Sequence, residues 1–321
     1  MRRRDFLKRG TVAAGLAASP KILEPLAVAG EARSIPKRKL GKTGEELSII
    51  GFGGIVVTNT EQSWANSIVA EAFDRGINYF DVAPTYGNAQ ERLGPALEPY
   101  RKKSFLACKT EKRDKDGAAA LLEESLKLLR TDHFDLYQLH AMTKMEDVDK
   151  VFGPSGAMET FLAARQAGKI RFIGFSAHSV ETALALMERF DFDTILFPFN
   201  FVLFSQARFG PQVLERANQK KMGVLALKGM AKTVWPKDMK ESDRPQPKCW
   251  YEPAPLKDEA GLALRWTLSQ PITAAVPPGD EKYFRLAMDI GQKFEPIRAD
   301  EEKTLMARAT GIEPIFRLGN A

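Results

Sequence analysis

An eightfold alternation constrains this chain more than any other feature of its sequence. Short apolar runs at Leu47–Phe52, Ile77–Asp81, Ser104–Lys109, Phe134–His140, Ile170–Ser176, Thr194–Pro198, Gly223–Lys228 and Thr273–Val276 are separated by amphipathic stretches near 62–75, 90–100, 115–130, 155–168, 180–189, 210–221, 256–269 and 281–294. The runs are almost continuously apolar, as strands buried on both faces must be. Ser179 stands where a helix would start, and Gly76 and Gly168 where helices would stop. Eight strand–helix alternations predict an α/β chain folded as a (β/α)8 TIM barrel, for which 321 residues suffice. A doubly wound sheet would want a G-x-G-x-x-G turn opening its first helix, and no such spacing occurs.

The expected layout is a polar linker over 30–45 followed by one barrel over 46–321. Two stretches, 141–156 and 231–256, are longer than barrel loops need to be. Each follows a strand, so each is expected over the C-terminal rim, where barrel enzymes place their sites. The second carries Trp235, Trp250, Tyr251 and five prolines. Phe52, Trp235 and Trp250 are accordingly expected to wall a substrate pocket.

Charge is unevenly placed. Residues 1–29 hold six cations and two anions, which leaves the remainder with 41 cations and 39 anions. That body is near neutral and offers no basic face for nucleic acid. Residues 1–29 read as an export signal: a basic start, a weakly apolar Thr11–Ala18, and small residues at Ala27-Val28-Ala29. Arg3-Arg4 followed by Asp5-Phe6-Leu7-Lys8 resembles the twin-arginine signal. The resemblance implies recognition by the twin-arginine export machinery, a periplasmic or otherwise exported protein, and a tightly bound cofactor loaded before export. The apolar stretch is too short for stable membrane insertion. Alternation turns Cys108 away from Lys109, and Cys249 falls in a loop, so a 108–249 disulfide stays open. The three histidines have no ligand spacing, and no metal site is expected.

Four polar residues interrupt the apolar pattern at or just after strand ends: Asp81, Tyr86, Lys109 and His140. In a parallel barrel the C-terminal ends of different strands face one point. A phenol has an ordinary pKa of about 10, and a neighbouring ammonium should lower it while a carboxylate pins that ammonium. An imidazole can donate to a carbonyl oxygen on which negative charge develops. The set suits adding hydride to a carbonyl, or the reverse oxidation of an alcohol. Any one of the four alone reads better as structure; together, at successive strand ends, they point to an enzyme.

Here the chain resembles the aldo/keto reductase superfamily. The segment D-V-A-P-T-Y-G-N-A-Q-E-R-L-G-P-A-L opening at Asp81 is similar to that family's F-D-T-A-x-x-Y-G-x-S-E-x-x-L-G-x-A-L signature. Lys109 and His140 occupy the family's lysine and histidine positions, and G-K-I-R-F-I-G-F-S, ending at Ser176, resembles the run before its cofactor serine. The resemblance spans about residues 37–293. It implies a barrel, a nicotinamide cofactor, Tyr86 as general acid/base, and a carbonyl or carbohydrate-like small-molecule substrate. It also implies cofactor contacts at Gly53, Ser176, Asn200, Leu227, Lys228, Gly279, Asp280, Lys282 and Arg285. The pattern departs from the family's at Ala177, where an Asn is usual, at Leu196, where a Gln is usual, and at Leu227, where a tyrosine stacks on nicotinamide. Arg285 falls on the arginine that meets a 2′-phosphate, which implies NADP, while the charge of Asp280 leaves NAD open. Two other classes fit the same scaffold: a non-catalytic nucleotide-binding sensor or accessory subunit, and a lyase or epimerase with retained cofactor.

Overall fold

The computed structural model describes residues 34–256 and 259–319. The export signal expected over 1–29 lies outside them. Twelve strands form in chain order: β1 (Lys37–Lys39), β2 (Glu46–Ser48), β3 (Phe52–Gly53), β4 (Tyr79–Asp81), β5 (Phe105–Thr110), β6 (Phe134–Met142), β7 (Ile170–Ala177), β8 (Thr194–Pro198), β9 (Gly223–Leu227), β10 (Ala231–Val234), β11 (Tyr251–Pro253) and β12 (Ala274–Val276). Eight of them make one parallel sheet in the order β12-β9-β8-β7-β6-β5-β4-β3. The sheet curls until Ile50 meets Ala275, with Gly51 N donating to Ala275 O and Ala275 N to Ile49 O, each at 2.9 Å. Helices fill the crossovers, giving a (β/α)8 barrel.

Side-chain alternation explains the packing. Tyr79, Phe105, Ala107, Leu136, Leu196, Leu225 and Ala274 point inward and form the barrel's inner cluster. Their neighbours Phe80, Leu106, Cys108, Tyr137, Val224, Ala226 and Ala275 point outward against the helices. At and just before β3 the inward positions are glycines, because Tyr79 and Val276 take the room. A Cβ on Gly51 would sit 2.5 Å from the Tyr79 ring, and one on Gly53 2.9 Å from Val276.

Three expectations need correction. The first run does not form one strand: its start pairs with β1 as the antiparallel hairpin β1–β2, while Phe52–Gly53 forms β3 and Ile50 joins the barrel by its bridge to Ala275. Part of the expected linker thus belongs to this hairpin, whose Leu40 and Leu47, both fully buried, close the barrel's N-terminal end. The 231–256 excursion is not an open loop. Its ends pair as β10 and β11, Trp235 Nε1 donates to Cys249 O at 2.8 Å, and Lys248 Nζ donates to Val56 O at 2.7 Å. The 141–156 stretch carries a helix, Met145–Phe152. Cys108 and Cys249 are both free and buried.

Candidate active site

Asp81 ends β4, Lys109 is the penultimate residue of β5, and His140 lies two residues before the end of β6. The ladder therefore continues slightly past two of the residues expected to end it. At β6 it does so through a bulge. Leu139 pairs with Phe175 and Met142 with Ala177, while Ala141 takes φ 51° and its N–H donates to Ser176 Oγ at 2.9 Å. Tyr86 follows β4 in a short turn, held by Thr58 Oγ1 donating to its carbonyl at 3.0 Å.

Inward alternation puts Asp81, Lys109 and Gln138 on one level of the barrel. Lys109 Nζ donates to Asp81 Oδ1 and, at 3.2 Å, to Val82 O. The other carboxylate oxygen accepts from Tyr79 OH at 3.1 Å and from Gln138 Nε2 at 3.3 Å. Both charges of the pair are buried. The Lys109 ammonium stands 5.2 Å from the centre of the Tyr86 ring, and that ring meets His140 edge-on at 5.9 Å. The four expected catalytic residues are thus brought together, and Tyr79 and Gln138 are positioning partners that the sequence did not suggest.

The electrostatics differ from the simple expectation for a phenol beside an ammonium. Burial raises the Tyr86 phenol above its ordinary value; Lys109 works against this and does not overcome it. Burial pulls the Lys109 ammonium down, but Asp81 and Tyr86 outweigh it, so the net shift is upward and the amine stays charged. His140 is depressed to about 3 by burial, with Lys109, Arg113 and Lys228 adding to it. It is a neutral imidazole at physiological pH, and its Nδ1 has no hydrogen-bond partner.

The other expected residues divide. Leu227 points into the barrel's upper end beside the inner cluster. Gly279 packs where a Cβ would lie 2.3 Å from Ile55 Cγ2, so only glycine fits. Asn200 is engaged internally: Oδ1 accepts from Leu203 N at 2.8 Å and Nδ2 donates to Lys228 O at 3.2 Å. Asp280 caps helix Glu281–Gln292 by accepting from Lys282 N and Tyr283 N. Lys282 is exposed. Arg285 is clasped by Glu71 and Glu281, which already balance its charge.

Among the expected substrate walls, Phe52 is excluded. Its ring lies 5.3 Å from Phe80 and 5.1 Å from Phe284, between barrel and helix, because alternation turns it outward. Trp235 is buried as the internal tie of the rim hairpin. Trp250 does reach the rim, 49% exposed and 5.7 Å from Phe316. Lys228 lies beneath these rings, with His178 Nε2 3.5 Å from its Nζ and the His178 ring stacked on Phe316 at 5.2 Å. His178 and Phe316 are the residues that sequence reasoning missed. The first stood two places after Ser176 and was legible; the second sits in the C-terminal tail with no local signal.

A cleft of about 450 Å³ beside the rim hairpin is lined by Thr60, Glu61, Trp64, Pro247, Lys248, Asp280 and Glu281. A larger cavity of about 1190 Å³ lies at the opposite end of the barrel, among Asn78, Ser104, Asp135 and Arg171 at strand starts. It is remote from the four residues and has no part in their chemistry.

The arrangement is a charged carboxylate–ammonium pair beneath a phenol and a neutral imidazole, at the C-terminal end of a parallel barrel. Residues 49–253 match the model of the aldo/keto reductase family. The chain belongs to that family, a family of oxidoreductases. The uncharacterized oxidoreductase YqkF of Bacillus subtilis is 29% identical over 312 residues, covering 88% of this chain and 98% of that one. L-galactose dehydrogenase of Arabidopsis thaliana is 28% identical over 170 residues, 48% of this chain and 52% of that enzyme. An aldo-keto reductase from Bacillus halodurans, solved in its holo form, superposes with a TM-score of 0.67 at 21% identity, covering 88% of this aldo/keto reductase and 98% of that chain.

Proposed function

We propose that this aldo/keto reductase moves hydride between a nicotinamide cofactor and a small carbonyl compound, or the corresponding sugar-like alcohol, with Tyr86 as the general acid/base. The observation that carries this is the buried Asp81–Lys109 pair set beneath the Tyr86 ring, with neutral His140 against the same ring. In reduction Tyr86 gives its proton to the carbonyl oxygen. Lys109 stabilises the phenolate left behind, and Asp81 keeps that ammonium charged and in place. His140, uncharged, can donate a hydrogen bond to the same oxygen without competing for the proton.

The residues at hand fit a nicotinamide nucleotide in part. Leu227 offers an apolar face, Gly279 a close backbone approach, and Lys282 positive charge. When bound, such a cofactor supplies or accepts the hydride. Asn200 is occupied elsewhere, and Arg285 is neutralised by Glu71 and Glu281. Carboxylates near an adenosine ribose accept from its 2′-hydroxyl and repel a 2′-phosphate. These residues therefore support use of NADH, the alternative that the charge of Asp280 left open, at least as well as NADPH. Titrating purified protein with each nucleotide by fluorescence, then adding an aldehyde and assaying the alcohol, checks the reading. Binding of neither nucleotide, or binding without alcohol formation, rejects it.

The export expectation for residues 1–29 is part of the same proposal. An exported member would work where free nicotinamide nucleotides are scarce, so a cofactor retained through folding and export, and recycled between two substrates, suits it.

A further inference from the structure

Lys228 follows the end of β9, where strict alternation would aim its side chain outward into the helix layer. It adopts φ 61° instead, a left-handed backbone that disfavours any residue with a Cβ. The turn carries its ammonium under an aromatic roof: Nζ is 5.4 Å from the centre of Trp250 and 6.0 Å from those of Tyr251 and Phe316. Two of those rings come from the rim hairpin and one from the C-terminal tail.

Such an ammonium needs a counter-charge, and the described residues do not provide one. Among the described residues no carboxylate forms an ion pair with Lys228. The ionisable groups that face it are His178 at 3.5 Å, Tyr251, Cys249, Lys109 and, through its effect on the imidazole, His140. None is acidic at neutral pH. Burial accordingly draws the Lys228 amine down to about 7. The side chain is half-buried; a cation partly withdrawn from water without a partner is disfavoured, and a ligand that brings the missing charge offsets that loss.

We propose that Lys228 receives an anionic group on the substrate, so that the preferred substrates are carbonyl compounds bearing a carboxylate or a phosphate. This rests on the reading of the site as a carbonyl reductase. The dinucleotide also carries phosphates, but the surroundings of Lys228 point to the substrate. Its neighbours are His178 and His140 on the side of the reacting carbonyl. Trp250, half open to solvent, and Phe316 on the tail form an entrance for a free ligand. Among the described residues no group at the start of helix Glu281–Gln292 pairs with it directly, and Cys249 stands between Lys228 and Asp280.

The test compares 4-formylbenzoate with its methyl ester, and glycolaldehyde phosphate with glycolaldehyde, in the full enzyme with saturating nucleotide. The wild type is expected to favour the anionic member of at least one pair by tenfold or more in kcat/KM at pH 6, and to lose that advantage above about pH 7. Lys228→Met should abolish the preference mainly through KM, and Lys228→Arg should restore most of it. Which pair shows the effect separates carboxylate from phosphate. Equal kcat/KM within both pairs in the wild type overturns the proposal. So does a Lys228→Met enzyme that keeps the preference while its nucleotide Kd rises, since the charge would then serve the cofactor. Nucleotide binding with no reduction of any of the four compounds would instead reject the carbonyl-reductase reading itself.

Discussion

Replacing Tyr86 by phenylalanine is expected to lower kcat for carbonyl reduction by about 10²–10⁴-fold, the usual contribution of a placed general acid, while leaving nucleotide Kd within about twofold. The substitution removes one oxygen from a ring whose packing against His140 remains. It should act on the proton transfer and little else. Stopped-flow reduction at saturating substrate measures it, and a Tyr86→Phe enzyme that retains more than a tenth of wild-type kcat would reject the role. The pH profile sharpens the assignment. His140 ionises only near 3, so neutral aldehydes should show no inflection between pH 5 and 7. The phenol is held above its ordinary range by burial, so reduction should fail only at alkaline pH, as the proton it must give is lost.

The second large effect is on stability. Lys109→Met leaves the Asp81 carboxylate buried with Tyr79 and Gln138 as its remaining donors. Removing one member of a buried pair typically destabilises by about 3–5 kcal/mol, because the other charge is stranded. In a domain of this size that lowers Tm by on the order of 10 °C. Adding Asp81→Asn should recover much of the loss, since a neutral amide no longer needs the ammonium. Neither enzyme should regain activity. Thermal melts of the single and double variants decide it: a Lys109→Met protein that melts with the wild type, or a double variant less stable than the single, would show that the pair does not hold this part of the barrel together.

The eight parallel strands were readable because each is buried on both faces and so is almost uniformly apolar. That Asp81, Tyr86, Lys109 and His140 would meet was readable for the complementary reason, since ionisable side chains recurring at or just after the ends of such runs converge at one end of a barrel. Other parts were hidden by the same physics. Lys37-Arg38-Lys39 looks like solvated linker, and only its pairing with Glu46–Ser48 makes it a strand. Phe52 was assigned to a substrate wall although it lies between Gly51 and Gly53, and that glycine alternation already said which side of β3 carries bulk. Half of the neutralisation of Arg285, by Glu281 four residues earlier, is a local helix pairing, but the other half depends on Glu71, 214 residues away, and no local pattern reports that. The sign of the Tyr86 shift could not be read at all, because it is set by how far burial exceeds the pull of Lys109.

Leu40 and Leu47 stopper the N-terminal end of the barrel, and they have a bearing on proton supply. A well sealed below communicates with solvent only from above. Under the role proposed for Tyr86, the proton it gives is replaced from the open C-terminal end, the end that also admits substrate.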